Sequence, residues 1–133
     1  MEDKRTLLLL EDEPLILIDL QSAAEDLGCH ALAASTCDAA LALIHEHHEL
    51  IDAAILDVSL GGSRTCLPVA DALDRLRIPY VLHSGDLDRH NERIRQLKAE
   101  LIPKPADAER VISAAMIVCG EAAGDDATRF APE

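Results

Sequence analysis

The most constraining feature of this sequence is a short aliphatic run near its middle that contains one carboxylate. Residues 53–58 read Ala-Ala-Ile-Leu-Asp-Val, and Asp57 is the charged member of the run. A strand buried on both faces of a parallel sheet has such a continuous aliphatic sequence. In open parallel sheets, ligands bind just beyond the carboxyl ends of the strands. The run therefore predicts a buried strand with Asp57 at the ligand-binding edge, although a lone Asp is also typical of turns.

Strand-like and helix-like segments alternate along the rest of the chain. Aliphatic runs predict further strands at 6–10, 30–34, 80–83 and 101–103, and Pro, Gly and capping residues separate them from helices. The helices are expected at about 14–27, 36–48, 68–76, 89–100 and 107–119. Strands that each lead into a helix through a short connection indicate an α/β fold with a doubly wound parallel sheet and right-handed crossovers.

Composition and charge limit the domain count and the kinds of partner. The 133 residues include 49% hydrophobic residues, enough for one domain with a real core. We place that domain at residues 1–120 and expect residues 121–133 to form a disordered, acidic tail. A net charge of -13 and an aromatic content of 2% disfavour nucleic-acid binding, which uses Lys, Arg and stacking side chains. Cations or basic protein surfaces suit this chain better.

The cysteines and the apolar segments bear on the cellular compartment. The 4 cysteines are scattered without a Cys-x-x-Cys pair, so we expect reduced thiols in core or helix positions. No basic and then apolar leader precedes the first strand, and no apolar run approaches the roughly 18 residues that span a bilayer. We therefore expect a cytoplasmic chain without membrane insertion.

Side chains that suit phosphoryl chemistry follow the predicted strands. Glu11 and Asp12 come after the first strand, Ser84 after the fourth and Lys104 after the fifth, so all should meet Asp57 at one edge of the sheet. Close carboxylates repel one another unless a cation lies among them, and Mg²⁺ prefers such hard oxygen ligands. A hydroxyl and an ammonium would complete a site for a phosphoryl group.

These five residues in this order resemble the receiver domain of two-component response regulators. The resemblance covers roughly residues 6–120, and it implies a flavodoxin-like (βα)5 fold with a five-stranded parallel sheet in the order 2-1-3-4-5. Residues 57–62 together with residues 68–73 are also similar to a branch of stand-alone, single-domain receivers, in which a Gly-Gly pair opens the loop after the third strand.

The resemblance implies phosphorylation of Asp57 by a partner protein. Asp57 would be the covalent nucleophile, Ser84 the hydroxyl residue and Lys104 the lysine that binds the phosphoryl group. The donor would be a sensor histidine kinase or a histidine phosphotransfer protein, and the signal would pass to an unknown downstream protein target or along a phosphorelay. The domain would catalyse its own phosphorylation and autodephosphorylation rather than act as a conventional turnover enzyme, as a monomer or weak homodimer.

The resemblance also implies a magnesium site. Glu11 and Asp12 would form the acidic metal pair, Asp57 would be a third ligand, and Ser59 would contribute its backbone carbonyl. Mg²⁺ would then stabilise charge on the transferred phosphoryl group.

Several residues depart from the receiver pattern or carry another interpretation. Leu101 stands where many receivers have the aromatic switch residue, which weakens the usual read-out. Asp86 is equally consistent with a turn and with contact to the attacking water. His83 is expected to be a packed strand end rather than a titrating neighbour of the phosphoryl group. Among the histidines of the second helix, His45 and His48 share a face, but no further ligand supports a metal site.

Two alternative functions remain open at the level of the sequence. The first is a pseudo-receiver, which would act as an interaction module independently of phosphorylation. The second is a flavodoxin-like cofactor binder on the same sheet order. It is disfavoured because residues 11–13 read Glu-Asp-Glu, where a bound phosphate would need amide donors and small residues.

Overall fold

The computed structural model describes residues 4–60, 65–85 and 92–130, with residues 121–130 described by their backbone alone. The strands are β1 (Thr6–Leu10), β2 (His30–Ala34), β3 (Ala53–Asp57), β4 (Tyr80–Ser84) and β5 (Leu101–Pro103). The helices are α1 (Pro14–Asp26), α2 (Cys37–His47), α3 (Leu67–Leu76), α4 (Glu92–Arg95) and α5 (Ala108–Phe130).

The five strands form one parallel sheet in the order β2-β1-β3-β4-β5. This confirms the predicted fold class and sheet order. β3 lies in the middle, between β1 and β4, and all of its residues are buried. The carboxyl ends of β1, β3, β4 and β5 therefore lie along one edge, as the strand-end residues required.

Two apolar layers hold the helices against the two faces of the sheet. Alternate residues of a strand point to opposite faces, so Leu8 and Leu10 pack in the layer with α2 and α3, while Leu7 and Leu9 pack in the layer with α1 and α5. All four leucines are fully buried. Full burial of one such side chain contributes about 1.5–3 kcal/mol, which explains why β1 consists of leucines after its first residue.

Local signals fix most of the helix ends where the sequence predicted them. Thr36 precedes α2, and its side chain accepts a hydrogen bond from the backbone N–H of Ala39 at 3.1 Å. Of the two capping residues that the sequence offers here, Thr36 and Asp38, Thr36 is therefore the N-cap. Gly28 has a φ of 83° after α1, in the left-handed region that glycine adopts without strain. The turn lets the chain reverse into β2.

Two helices differ from the predicted lengths. α4 covers Glu92–Arg95, whereas residues 96–100 of the predicted helix are not helical and its residues 89–91 lie outside the described residues. Ile94 is buried, but a short charged segment has little apolar surface to hold it in a helix. α5 was expected to end near Cys119 and instead continues to Phe130. Gly120 costs only about 1 kcal/mol inside a helix, and the alanines after it favour helix, so the predicted helix end is wrong. The division into domain and tail stays a prediction.

No helix of the described residues combines the length and the apolar content needed to cross a membrane.

Candidate functional site

The carboxyl ends of β1 and β3 bring three carboxylates together. Glu11 directly follows β1, and its backbone N–H donates to the carbonyl of Ala34 at 3.0 Å, which fixes it beside β2. Asp57 ends β3. One oxygen each of Glu11, Asp12 and Asp57 lies within 4.8 Å of the others. Glu11 and Asp57 are only 1% and 2% exposed, so water does little to separate their charges.

Lys104 supplies the positive charge of the site. Its Nζ lies 3.3 Å from Asp57 Oδ1, 3.3 Å from Glu11 Oε1 and 3.3 Å from Glu13 Oε1. The backbone N–H of Lys104 donates to the carbonyl of Ser84 at 2.8 Å, so β4 fixes the position of the loop after β5. The ammonium therefore connects a buried acid pair with a carboxylate on the surface.

The two serines of the predicted site occupy different environments. Ser84 ends β4, is fully buried, and its hydroxyl donates to the carbonyl of Gly85 at 2.8 Å. Ser59 is exposed and forms an isolated antiparallel bridge with Thr65. The structure thus brings Glu11, Asp12 and Asp57 together and places Lys104 against Glu11 and Asp57, with Ser84 at the neighbouring strand end. The catalytic role of Ser84 and the metal-binding role of Ser59 stay predictions.

Solved receiver domains have the same fold. A response regulator receiver domain protein from Clostridium thermocellum superposes with a TM-score of 0.75 at 21% identity, over 88% of this chain and 95% of that one. A response regulator receiver protein from Sinorhizobium medicae gives 0.75 at 21% identity, over 90% and 98%. A CheY-like receiver domain protein from Methanospirillum hungatei gives 0.77 at 18% identity, over 92% and 99%. No protein-family model and no curated protein sequence matches the chain.

The chain has the receiver-domain fold. Within this receiver fold, the acidic cluster and Lys104 lie at the sheet edge where open parallel sheets bind their ligands.

Burial and crowding change the protonation of the receiver-fold site. Burial, followed by repulsion from Glu11, raises the pKa of Asp57 to about 8. Burial acts to lower the pKa of Lys104, but the carboxylates of Asp57 and Glu11 outweigh it and the pKa is raised. Lys104 therefore stays charged, while the raised pKa of Asp57 means that this carboxyl holds a proton near neutral pH. A single ammonium does not neutralise this cluster.

The donor atoms of the acidic cluster fit a hard divalent cation. Glu11 Oε1 and Asp57 Oδ2 are buried, and neither accepts a hydrogen bond from a described residue. Buried carboxylate oxygens without donors are costly unless a cation takes the place of the missing partner. Carboxylate oxygens are also the ligands that hard cations such as Mg²⁺ or Ca²⁺ prefer. Glu11, Asp12 and Asp57 would hold the ion.

The sequence interpretation missed two members of the site. Glu13 was grouped with the acids after β1 without a role, yet it contacts Lys104. His83 was expected to be a packed strand end, which its 3% exposure confirms. Its Nδ1 nevertheless lies 3.9 Å from Glu11 Oε1, and burial lowers the pKa of His83 to about 4. His83 of β4 pairs with Asp57 of β3 in the parallel register, and this pairing places the histidine next to the acidic cluster.

Most of the other residues singled out in the sequence are described by the structure, and these lie away from the acidic cluster. His45 and His48 line a groove between α2 and α3 with Arg75, whose charge opposes a bound cation. Leu101 begins β5 and is half-buried beside the α2 and α3 layer. Asp86 lies outside the described residues. Cys29, Cys66 and Cys119 are buried, Cys37 is half-buried, and none of the four forms a disulfide.

Proposed function

We propose that this chain is a single-domain response regulator that accepts a phosphoryl group on Asp57. The observation that carries the proposal is the position of Asp57, buried at the end of β3 beside Glu11 and Asp12, with the Lys104 ammonium 3.3 Å from its Oδ1. A carboxylate nucleophile, an acidic metal site and a lysine are the groups that phosphoryl transfer needs, since this reaction depends mainly on positioning and on charge stabilisation. The receiver fold of the solved neighbours agrees with this function.

The proposed reaction is displacement at phosphorus. One oxygen of ionised Asp57 attacks the phosphorus of a phosphohistidine on the donor protein, and the new P–O bond forms as the P–N bond breaks. The donor imidazole keeps the electron pair of the broken bond. Hydrolysis follows the same geometry, because water attacks phosphorus and the Asp57 carboxylate leaves. Lys104 stabilises the transferred oxygens in both steps, and Ser84 would donate a hydrogen bond to one of them.

Mg²⁺ is the cofactor we assign to the acidic cluster. The ion would supply positive charge that keeps Asp57 ionised and neutralises the phosphoryl oxygens. The chain contributes three acidic side chains and, by the receiver pattern, the carbonyl of Ser59. Because the pKa of Asp57 is raised, the carboxyl is mostly protonated near neutral pH, and a protonated carboxyl is a poor nucleophile. The positive charge of the ion would favour the ionised form that can attack phosphorus.

The proposed partners follow from the phosphohistidine donor. A sensor histidine kinase or a histidine phosphotransfer protein would provide the phosphoryl group in the cytoplasm. A downstream protein would then distinguish the two phosphorylation states. A pseudo-receiver that only offers an interaction surface is the alternative function. Partner affinity measured with and without the phosphoryl group separates the two, because a ligand without differential affinity cannot shift a conformational equilibrium.

Incubation with a small-molecule phosphodonor tests the proposal. In the presence of Mg²⁺, intact-mass measurement should show one added phosphoryl group on the wild-type chain, and a chelator should abolish it. Asp57→Asn should remain unmodified. Asp52→Asn is the matched control, because Asp52 is exposed at the opposite end of β3 and should leave the yield unchanged. Equal yields for wild type and Asp57→Asn would remove Asp57 as the acceptor.

A further inference from the structure

His83 is a buried histidine whose hydrogen-bonding groups have no partner. It lies near the carboxyl end of β4, and both ring nitrogens lack a hydrogen-bond partner among the described residues. Glu11 Oε1 is also buried and accepts no hydrogen bond from a described residue, although the Lys104 ammonium lies 3.3 Å from it. His83 Nδ1 lies 3.9 Å from this oxygen. One can donate and the other can accept, and a shift of about 1 Å would join them, since N–H···O bonds are about 2.9 Å long.

Lys104 explains why this bond is open in the unphosphorylated protein. Its Nζ lies 3.3 Å and 3.4 Å from the two carboxylate oxygens of Glu11, and it also faces Asp57 and Glu13. The ammonium balances the charge of Glu11 and holds it away from His83. As long as the Lys104 ammonium stays beside Glu11, a hydrogen bond from the His83 imidazole would add little to the stabilisation of this carboxylate.

Phosphorylation of Asp57 would change the contacts of the Lys104 ammonium. If Asp57 accepts a phosphoryl group, as proposed above, the ammonium must turn toward the new oxygens, and the contact with Glu11 weakens. Glu11 is 1% exposed, so water cannot replace the lost partner. The backbone N–H of Glu13 still donates to Glu11 Oε2 at 3.1 Å, but Glu11 Oε1 then lacks its nearby protein cation, and a buried carboxylate oxygen without a partner is unfavourable. Among the described side chains that contact Glu11, His83 is the one that can supply a neutral donor.

We propose that His83 is a positioning residue whose Nδ1–H donates to Glu11 Oε1 when Lys104 turns from Glu11 to the phosphoryl group. His83 thus takes over the support of Glu11 and keeps this carboxylate oriented toward the metal. This inference rests on the proposed phosphorylation of Asp57 and assigns a role to a residue outside the acidic cluster and the lysine.

The ring is suited to this exchange by its position, because it is buried and its Nδ1 lies 3.9 Å from Glu11 Oε1. A neutral imidazole carries one N–H and can donate without adding positive charge beside a bound cation. A lysine or arginine at this position would compete with the metal for Glu11.

The test compares the unphosphorylated protein with a phosphoryl mimic. Nitrogen-detected NMR of the His83 ring in Mg²⁺, with and without beryllofluoride, reports which nitrogen carries the hydrogen. We expect the Nδ1–H tautomer with beryllofluoride, and a change in the ring signals on its addition. A ring that keeps its hydrogen on Nε2 in the beryllofluoride state would overturn the proposal.

Variants give an independent measurement. His83→Leu should weaken beryllofluoride binding in Mg²⁺ about tenfold, which corresponds to about 1.4 kcal/mol. His83→Gln, which retains an N–H donor, should recover most of this loss. Tyr80→Phe is the control, because it changes another buried residue of β4 and removes only a hydroxyl that faces Asp74. Equal affinity in wild type and His83→Leu would refute the positioning role.

The outcomes also separate this inference from the proposed function. If the wild-type chain itself neither binds beryllofluoride nor accepts a phosphoryl group, the proposed function fails, and this inference fails with it. If the wild-type chain binds the mimic and only the His83 results disagree, the proposed function stands and the positioning role is wrong. Should His83→Leu not fold, the wild-type ring spectrum and His83→Gln still decide.

Discussion

Raising the pH of the metal-free protein should destabilise it, because Asp57 is protonated in the folded state. Its pKa is raised from 3.8 to about 8, so the folded chain binds more protons than the unfolded chain between these values. The free energy of unfolding therefore falls as pH rises through this window. His83 acts in the opposite sense: its pKa is lowered from 6.5 to about 4, so its contribution to stability rises with pH between 4 and 6.5.

The two effects separate above the ordinary pKa of histidine. Below pH 6.5 they oppose each other, and above it Asp57 is the one of these two groups whose protonation still differs between the folded and the unfolded chain. Each pH unit is worth about 1.36 kcal/mol for one group. The slope declines as pH approaches the folded pKa of Asp57, so from pH 6.5 to pH 8 the metal-free protein should lose roughly 1–2 kcal/mol of unfolding free energy.

Urea unfolding followed by circular dichroism measures this loss. With a chelator present, the midpoint should be lower at pH 8 than at pH 6.5 at an unchanged slope. Asp57→Asn should remove the pH dependence, because no proton is exchanged there. Excess Mg²⁺ should stabilise the wild type more at pH 8 than at pH 6.5, since the ion competes with the proton. The same decline in Asp57→Asn, or equal midpoints at the two pH values, would refute the protonation of Asp57.

Three further predictions concern the site and the fold. Lys104→Met should bind Mg²⁺ several-fold more tightly in calorimetry, because a positive charge 3.3 Å from Glu11 and Asp57 is removed. The same variant should accept less phosphoryl group, and weaker Mg²⁺ binding would contradict this prediction. Thr36→Ala should cost about 1 kcal/mol in urea unfolding, since α2 loses its N-cap, and no loss would show that the cap is dispensable. Ile55→Ala should lower the free energy of unfolding by about 2–5 kcal/mol. Ile18 is 55% exposed, so Ile18→Ala should change it by about 0.5 kcal/mol or less. Similar losses in both variants would mean that β3 is not the core strand.

The sheet and the acidic cluster were predictable because their signals are local. Each strand is a short aliphatic run, and Pro14 and Gly28 mark helix ends by backbone preferences that act within one turn. Strand ends of a parallel sheet share an edge, so the order of Asp57, Ser84 and Lys104 along the chain already placed them together.

The lengths of α4 and α5 and the surroundings of His83 were not predictable from the sequence, because they depend on tertiary packing. The short α4 reflects how little apolar surface its segment buries, and no local signal reports that quantity. His83 follows three apolar residues of β4, which explains its burial, but its distance to Glu11 depends on how β4, β3 and β1 lie side by side. The contact between Glu13 and Lys104 likewise joins two loops far apart in the chain.

Chemical trapping of the modified residue tests the central claim most directly. After phosphorylation in Mg²⁺, borohydride reduction converts an aspartyl phosphate to homoserine, and peptide mass spectrometry locates the converted residue. Our account predicts homoserine at position 57 and an unmodified Asp12, its neighbour in the cluster. Homoserine at position 12, or a chain that carries no phosphoryl group under conditions where Mg²⁺ is bound, would contradict it.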